Sequence, residues 1–349
     1  FDLRSNEAGL KYNLLGAFAS AILLYGIAMM YGVTGTTDYS EISAKLTGNI
    51  NDIEPAMLLG LALIIGGIAF KIAAVPFHMY TPDAYEGAPL PITGLISALS
   101  KSAGMALFLK LFVQGFLPIV DDWRYFIAGL AVVTMTLGNL VALQQTNIKR
   151  LLAYSSIAQV GYLLVGIAAL DITNHDAASA LVLHMVGYVF TNLAAFVAII
   201  IYYNWTGREE ISDFKGLAER APYLALCLTI ALFSLSGMPL FAGFATKFIL
   251  FQAAANNGLL WLAGIAAFFS FVSLYYYLVV IREMYLGEPD EKTRFPTPWF
   301  EYGALSVLVA GIFFVGLYPR PIFDAVETST DSIFPPVASA TVQDVDSQP

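Results

Sequence analysis

Charged residues are scarce in this sequence. They make up 12% of its 349 residues, whereas soluble domains carry about 25%. Hydrophobic residues make up 58% and gather in long runs. So few charges exclude a soluble globular protein and indicate a chain that crosses a lipid bilayer many times. Nucleic-acid binding requires a basic face, which the net charge of -9 does not suggest. We therefore expect no nucleic-acid partner.

Cysteine and histidine are nearly absent as well. The single cysteine, Cys227, lies in an apolar run and is typical of a small buried hydrophobic residue. One thiolate cannot hold an iron–sulfur cluster, which generally takes four. The three histidines, His78, His175 and His184, are too few for a multi-histidine metal site. No Rossmann glycine fingerprint occurs either, so we expect neither a metal nor a cofactor in this chain.

Nine hydrophobic segments can be counted, each close to the roughly 20 residues that a bilayer span needs. They lie at about 12–32, 56–80, 90–117, 124–143, 151–170, 177–203, 222–255, 259–285 and 299–319. The tail from Asp324 onward is rich in Ser, Pro and Asp, which predicts disorder. The opening FDLRSNEAGL is not a signal peptide, and we expect further sequence upstream of it.

The loops differ in basic residues from one side to the other. One set of alternate loops holds ten, and the other set holds only Lys45, Arg124 and Arg320. The ten are Arg4, Lys11, Lys149, Arg150, Arg208, Lys215, Arg220, Arg282, Lys292 and Arg294. Because cytoplasmic loops carry an excess of Lys and Arg, this set predicts the cytoplasmic side, and the C-terminal tail then lies outside.

Two spans combine a lysine with helix breakers. In 56–80, Lys71 precedes Pro76, and in 222–255, Lys247 follows Pro239. A lysine deep in hydrocarbon costs at least ~2.5–3.5 kcal/mol, and proline removes a helical hydrogen bond. Simple anchors need neither feature. Paired broken helices predict an inverted repeat with a functional site near mid-membrane.

Lys101 is a third lysine inside a span, beside Ser100, Ser102 and Gly104. Burial disfavours the charged form of an ammonium group, so lysines linked by water and hydroxyls can relay protons near neutral pH. Snorkelling to the interface is the alternative, and it suits Lys110, nearer the end of the same span, better than the deeper three. A purely structural membrane scaffold remains a further interpretation.

Other titratable groups allow two interpretations each. His78 could be a relay station or a partner for a carbonyl freed at Pro76. His184, near Tyr188, Thr191 and Asn192, could extend a polar path or join two helices. Asp83 and Glu86 could feed the path or form a turn, while Lys149–Arg150 fits positive-inside anchoring and His175 fits a solvated loop. The aromatic run ending at Tyr277 is typical of packing.

Four stretches resemble the proton-pumping membrane subunits of respiratory complex I. They are KYNLLGAFASAILLYGIAMMYGVTGTT (11–37), FKIAAVPFHMYTPDAYEGAPLPITGLISALSKSAG (70–104), QQTNIKRLLAYSSIAQVGYLLVG (144–166) and LSGMPLFAGFATKF (235–248). The resemblance is greatest to the subunit N family of NADH-quinone oxidoreductase, called subunit 2 in mitochondria. These subunits are similar in turn to one chain of multi-subunit sodium/proton antiporters.

The resemblance implies an all-α polytopic membrane protein whose fourteen transmembrane helices include two inverted repeats of five helices each. This chain would hold the last nine of the fourteen helices. The remainder of the first repeat would span 1–110, with the span 90–117 continuing its broken helix. The second repeat would span 118–285, followed by a C-terminal helix over 286–323 and a tail over 324–349. A family glutamate that pairs with the Lys71 position would lie upstream of Phe1.

The resemblance also assigns roles. The proton-pathway residues of the family fall on Lys71, Lys101, Lys247, His78 and Lys11. NADH, FMN, iron–sulfur clusters and quinone would belong to partner subunits of complex I. The expected location is the bacterial inner (plasma) membrane, with an organellar inner membrane as the alternative. Rival functions are a cation/proton antiporter subunit and the equivalent subunit of a membrane-bound hydrogenase or a ferredoxin-driven photosynthetic complex.

Overall fold

The computed structural model describes residues 3–48, 55–288 and 299–334, and every named element in these ranges is a helix. The first part of the chain contains α1 (Leu3–Thr34), α2 (Tyr39–Gly48), α3 (Pro55–Ile72), α4 (Tyr80–Gly87), α5 (Leu90–Leu95), α6 (Lys101–Leu111) and α7 (Val120–Ala142). A π-helical turn, Ile96–Ser100, joins α5 to α6. The all-α prediction is therefore confirmed.

The second part contains α8 (Ile148–Ala168), α9 (Asp176–Thr206), α10 (Leu217–Arg220), α11 (Pro222–Ser236), α12 (Ala242–Asn256), α13 (Leu260–Leu286), α14 (Trp299–Leu317) and α15 (Arg320–Asp331). Within the described ranges, seven helical runs are long and apolar enough to cross a membrane. One of these runs, Leu90–Ala142, covers two of the nine predicted segments, 90–117 and 124–143. The remaining predicted segment, 222–255, is divided between α11 and α12. Within the run Leu90–Ala142 the rings of Phe112 and Trp123 meet edge to face at 4.9 Å. Eleven residues of straight helix would separate them by about 16 Å, so the chain bends between them.

Helix α8 is the central element of the bundle. Nearly all of its residues are buried, and it packs against α4, α6, α7, α9, α12 and α13. Asn147 caps its first turn, because the side-chain oxygen accepts hydrogen bonds from the N–H groups of Lys149 and Arg150. A helix buried on all sides is expected to be apolar all round. This one instead carries buried Ser155, Ser156 and Gln159.

Both predicted helix breaks are confirmed. The first separates α3 from α4, with Ala73 in the left-handed region at φ +63°. The second separates α11 from α12 at Gly237, which ends α11 at φ +85°. Gly243, which looks like a breaker in the sequence, lies inside α12 instead. It is needed there because a β-carbon would overlap the carbonyl oxygen of Ser234.

The predicted disorder of the tail is wrong for its first residues. Asp324 lies in α15, which packs on α9 and joins it through a 2.6 Å hydrogen bond between Ser179 and Thr330. His175 was expected to be solvated, yet it contacts Asp331 at 2.8 Å and stacks on the ring of Phe334. The helix forms because Val326 and Thr330 give it a buried face. The rest of the tail, 335–349, lies outside the described residues.

Candidate functional site

Lys101 is enclosed at the centre of the bundle, where its residue is 2% exposed. Its ammonium donates a hydrogen bond to the hydroxyl of Ser156 on α8 and lies 5.6 Å from the ring centre of Tyr85. The hydroxyls of Tyr85 and Tyr188 also reach Ser156, at 3.1 and 3.2 Å. Three polar groups therefore meet at the hydroxyl of one buried serine.

The π turn before Lys101 shapes this environment. The carbonyl of Ser97 accepts a 3.2 Å hydrogen bond from the hydroxyl of Tyr188, and the hydroxyl of Ser97 accepts one of 2.7 Å from Asn192. Turns of this kind occur often at functional sites. The sequence placed Tyr188 and Asn192 near His184, whereas the structure turns both towards the surroundings of Lys101.

Lys247 is equally enclosed, at 3% exposed. Its ammonium donates hydrogen bonds of 2.9 Å to the carbonyl of Leu235 and 3.0 Å to the hydroxyl of Ser270, and lies 4.4 Å from the ring centre of Tyr162. Leu235 has a free carbonyl because the residue four positions on is Pro239, which has no N–H. The break in the helix therefore creates the acceptor that the lysine uses.

Helix α8 connects the two enclosed lysines. The amide of Gln159 donates a 3.0 Å hydrogen bond to the carbonyl of Leu235, the same oxygen that Lys247 uses. Ser156, the partner of Lys101, lies one helical turn before Gln159. Three residues of α-helix span about 4.5 Å, so one face of α8 places a polar side chain beside each lysine.

Neither enclosed lysine has an acidic partner: in the described ranges, no carboxylate lies within 4 Å of Lys101 or Lys247. Their contacts are hydroxyls, a carbonyl and aromatic faces. Such contacts accept a hydrogen bond without fixing the charge, so the lysine can be charged or neutral without losing them. That property suits a group that gains and releases protons.

Lys71 is placed differently from the other two. Within the described ranges its side chain is exposed in a recess of about 720 Å³ between α1, α3 and α6. The recess is open because small residues, Gly16, Ala17 and Ser20, face it from α1. The stem of Lys71 lies against Gly104, one turn beyond Lys101 on α6. Lys71 and Lys101 are thus brought to one face of α6.

The two intramembrane histidines lie near the breaks. His78 is buried between α3 and α4, and its Nδ1 has no hydrogen-bond partner among the described residues. His184 shares a 2.9 Å hydrogen bond with Thr246, the residue before Lys247, and its Nε2 has no partner in the same ranges. The structure therefore associates His184 with the Lys247 region, a pairing that the sequence did not indicate.

Lys11 lies at one end of the bundle and outside its centre. It contacts Glu7 and Asp83, each at 2.6 Å. Arg150 pairs with the same Asp83 at 3.0 Å and with Glu86 at 2.8 Å. Although burial raises the pKa of Asp83, hydrogen bonds from Lys11 and Arg150 outweigh it and hold that pKa below the ordinary 3.8. Asp83 and Glu86 thus lock α4 to α1 and α8, a role beyond the simple turn.

Lys149 forms a second ion pair at this end. Its ammonium contacts Glu209 at 2.7 Å and donates a 2.9 Å hydrogen bond to the carbonyl of Glu86. Only 6% of its side chain is exposed. An anchoring residue would face the headgroups. Lys149 instead links α4, α8 and the loop after α9.

Sequence reasoning missed several polar contacts. Tyr277, interpreted as packing, hydrogen-bonds Ser155, and Tyr276 donates a 3.2 Å hydrogen bond to Asn139. Asn139 in turn donates a hydrogen bond to the hydroxyl of Tyr162, the tyrosine whose ring faces the ammonium of Lys247. The available signal was the repeated occurrence of Ser, Gln and Tyr within one apolar segment, 151–170. No group of side chains suited to a metal ion occurs in the part of the chain that the structure describes.

Comparison with known proteins identifies the family. Residues 2–273 match the family described as NADH:quinone oxidoreductase/Mrp antiporter, TM. NADH-quinone oxidoreductase subunit N of Moorella thermoacetica is 44% identical over 96% of this chain and 70% of its own length.

Two solved structures share the fold. A chain of respiratory complex I from Thermus thermophilus with bound aureothin matches 92% of this chain and 69% of its own length, with a TM-score of 0.77 and 32% identity. A chain of the membrane-bound sulfane sulfur reductase, an archaeal respiratory membrane complex, matches 95% of this chain and 66% of its own, with a TM-score of 0.83 and 34% identity. The chain belongs to the membrane-domain family of NADH:quinone oxidoreductases and Mrp antiporters, within which relatives at 44% identity are named NADH-quinone oxidoreductase subunit N.

Proposed function

We propose that this chain is a proton-translocating subunit of an NADH-quinone oxidoreductase. The observation that carries the proposal is the pair of enclosed lysines, Lys101 and Lys247, held by neutral partners and joined through one face of α8. A membrane anchor has no use for two such groups, since each raises the cost of insertion.

Protons would be taken up from the cytoplasm and pass Lys71, Lys101 and Lys247 in that order. Lys71 reaches the open recess, and its stem meets α6 one turn from Lys101. Ser156 and Gln159 supply the polar link to the region of Lys247. A positive charge arriving near one group changes the proton affinity of another by about 4 kcal/mol at about 4 Å and an effective dielectric of about 20. That coupling weakens as the distance between the groups grows. The protons themselves would move between the lysines through water and hydroxyls.

His78 and Lys11 take secondary roles in this proposal. His78 is an intermediate station at the first break, with a ring nitrogen available for water. Lys11, paired with Asp83 at the end of α1, orders the uptake side and lies outside the central relay. These assignments are independent of the order of the three lysines.

The redox chemistry would take place in partner subunits that carry NADH, FMN, iron–sulfur clusters and quinone. Relatives named for NADH-quinone oxidation and a structural match within respiratory complex I support this assembly. The protein would lie in the bacterial plasma membrane as a multi-pass subunit. The end that carries Lys149, Arg150 and Arg282 would face the cytoplasm, by the excess of basic residues there, and α15 would face outside.

A cation/proton antiporter subunit is the second candidate, because the matching family includes Mrp antiporters. Purification of the tagged chain from its native membrane separates the two. Co-purification of flavin and iron–sulfur subunits, together with NADH-driven proton uptake into vesicles, is the expected result. Isolation with cation-antiporter subunits alone would contradict the proposal.

A further inference from the structure

A small pocket rich in basic residues lies at the end of α9, apart from the lysine pathway. It encloses about 170 Å³, several times the roughly 30 Å³ that a water molecule occupies in the liquid. Three cationic side chains line it from three different places: Arg208 follows α9, Lys215 precedes α10, and Arg220 ends α10. Asp213 is the one acidic residue in its wall.

The walls of this pocket are held in place by contacts among themselves. The hydroxyl of Tyr202 donates a 2.6 Å hydrogen bond to the carbonyl of Asp213, and its ring stacks on Phe214 with 4.1 Å between centres. The carboxylate of Asp213 accepts a hydrogen bond from the N–H of Glu210 and lies 3.9 Å from Arg208. Asp213 thus holds the loop, and the pocket lining carries three basic side chains to this one acid, on a protein whose overall charge is -9.

The surroundings place the pocket at the level of the lipid headgroups. Trp205 lines it and is 46% exposed, and two tyrosines close in sequence to lining residues, Tyr203 before Trp205 and Tyr223 after Arg220, are exposed as well. Trp and Tyr concentrate where a membrane protein passes from hydrocarbon to headgroups. A basic pocket between helix ends at this level is the arrangement that recognises anionic lipid headgroups.

We propose that this pocket binds the phosphate group of an anionic membrane lipid. The positively charged side chains contact the phosphate oxygens, and the acyl chains run down the lipid-facing surface below Trp205. Lipid binding here requires no proton movement by the buried lysines, so this proposal can be tested independently of the proposed proton-translocating function.

The test compares two variants that each remove one positive charge from the same membrane face. Lys215→Gln alters the pocket; Lys215 is exposed and has no ion pair among the described residues, and glutamine keeps the methylenes that lie against Gly287. Arg282→Gln is the control, because Arg282 is exposed and lies outside the pocket. The whole complex, purified and placed in phosphatidylcholine nanodiscs with a minor fraction of phosphatidylglycerol, is analysed for retained phosphatidylglycerol by native mass spectrometry.

We expect Lys215→Gln to weaken phosphatidylglycerol retention about five-fold, because Lys215 lines the pocket and the loss of one basic residue close to an anionic headgroup changes binding by about this factor. Arg282→Gln should leave retention unchanged. Equal losses in both variants, or no loss in either, would overturn the proposal. Inorganic phosphate at millimolar concentration should not displace the lipid, and displacement would assign the pocket to free phosphate instead.

Discussion

Ser156 and Gln159 lie one turn apart on α8, and each contacts the immediate surroundings of one enclosed lysine. Ser156 accepts a hydrogen bond from Lys101, while Gln159 donates to the Leu235 carbonyl that Lys247 also uses. Two charges that are far apart in sequence are thus connected through a single rigid helix. The account of proton transfer depends on this connection, and it can be tested on the helix itself.

Replacing Gln159 by leucine should impair pumping while preserving the fold. The carbonyl of Leu235 keeps its bond from Lys247, but the polar group between the two lysines is lost. A hydrogen bond of this kind is worth about 1 kcal/mol, so we expect the pumping rate to fall about five-fold. The measurement is NADH-driven acidification or alkalinisation of vesicles containing the whole complex. Gln144→Leu, at an exposed position beyond α7, is the matched control. An equal loss of pumping in that variant would contradict a role for Gln159 in proton transfer.

The second helix break depends on the absence of a side chain at Gly243. Alanine there would press against the carbonyl of Ser234, which is backbone and cannot swing away. Overpacking of this kind costs about 1–3 kcal/mol, so Gly243→Ala should lower the thermal unfolding temperature and disturb the site of Lys247. Gly264 on α13 has no neighbour within 4 Å of an added β-carbon. Gly264→Ala should therefore leave stability unchanged, and a comparable loss in both variants would argue against the close contact.

Acid stability should depend on Asp83. Its pKa in the folded protein lies below the ordinary 3.8, since hydrogen bonds from Lys11 and Arg150 outweigh burial. The ionised carboxylate therefore stabilises the fold fully above about that value, and the contribution is lost as the pH falls through the lowered pKa. Thermal unfolding between pH 3 and 7 should show that Asp83→Asn is less stable than the unmodified protein near neutrality and that the difference shrinks towards pH 3. A difference that stays constant across this range would contradict the ion-pair role.

The sequence indicated the enclosed lysines and both breaks because each depends on a local conflict. A lysine in an apolar run and a proline inside a helical segment can each be recognised from their sequence neighbours alone. This applies to Lys101, Lys247, Pro76 and Pro239. The partners could not be predicted. Ser156 and Gln159 are ordinary helix residues until the neighbouring helices are placed.

Exposure was the second limit of sequence reasoning. Hydropathy gives the depth of Lys71 along its helix but not the direction of its side chain, and the structure turns it towards an open recess. Composition likewise suggested disorder from Asp324 onward. It missed that a short helix of mixed composition can form when Val326 and Thr330 pack against α9. Both features depend on tertiary contacts, which a sequence alone does not display.

The most direct test of the central claim is the number of protons pumped per NADH oxidised. Lys101→Met and Lys247→Met remove the two enclosed ammonium groups while keeping apolar bulk, and Lys110→Met removes an exposed lysine from the same helix as Lys101. The account predicts that the ratio falls in the first two variants and is unchanged in the third, with the complex assembled in all three. An unchanged ratio in both Lys101→Met and Lys247→Met would contradict it.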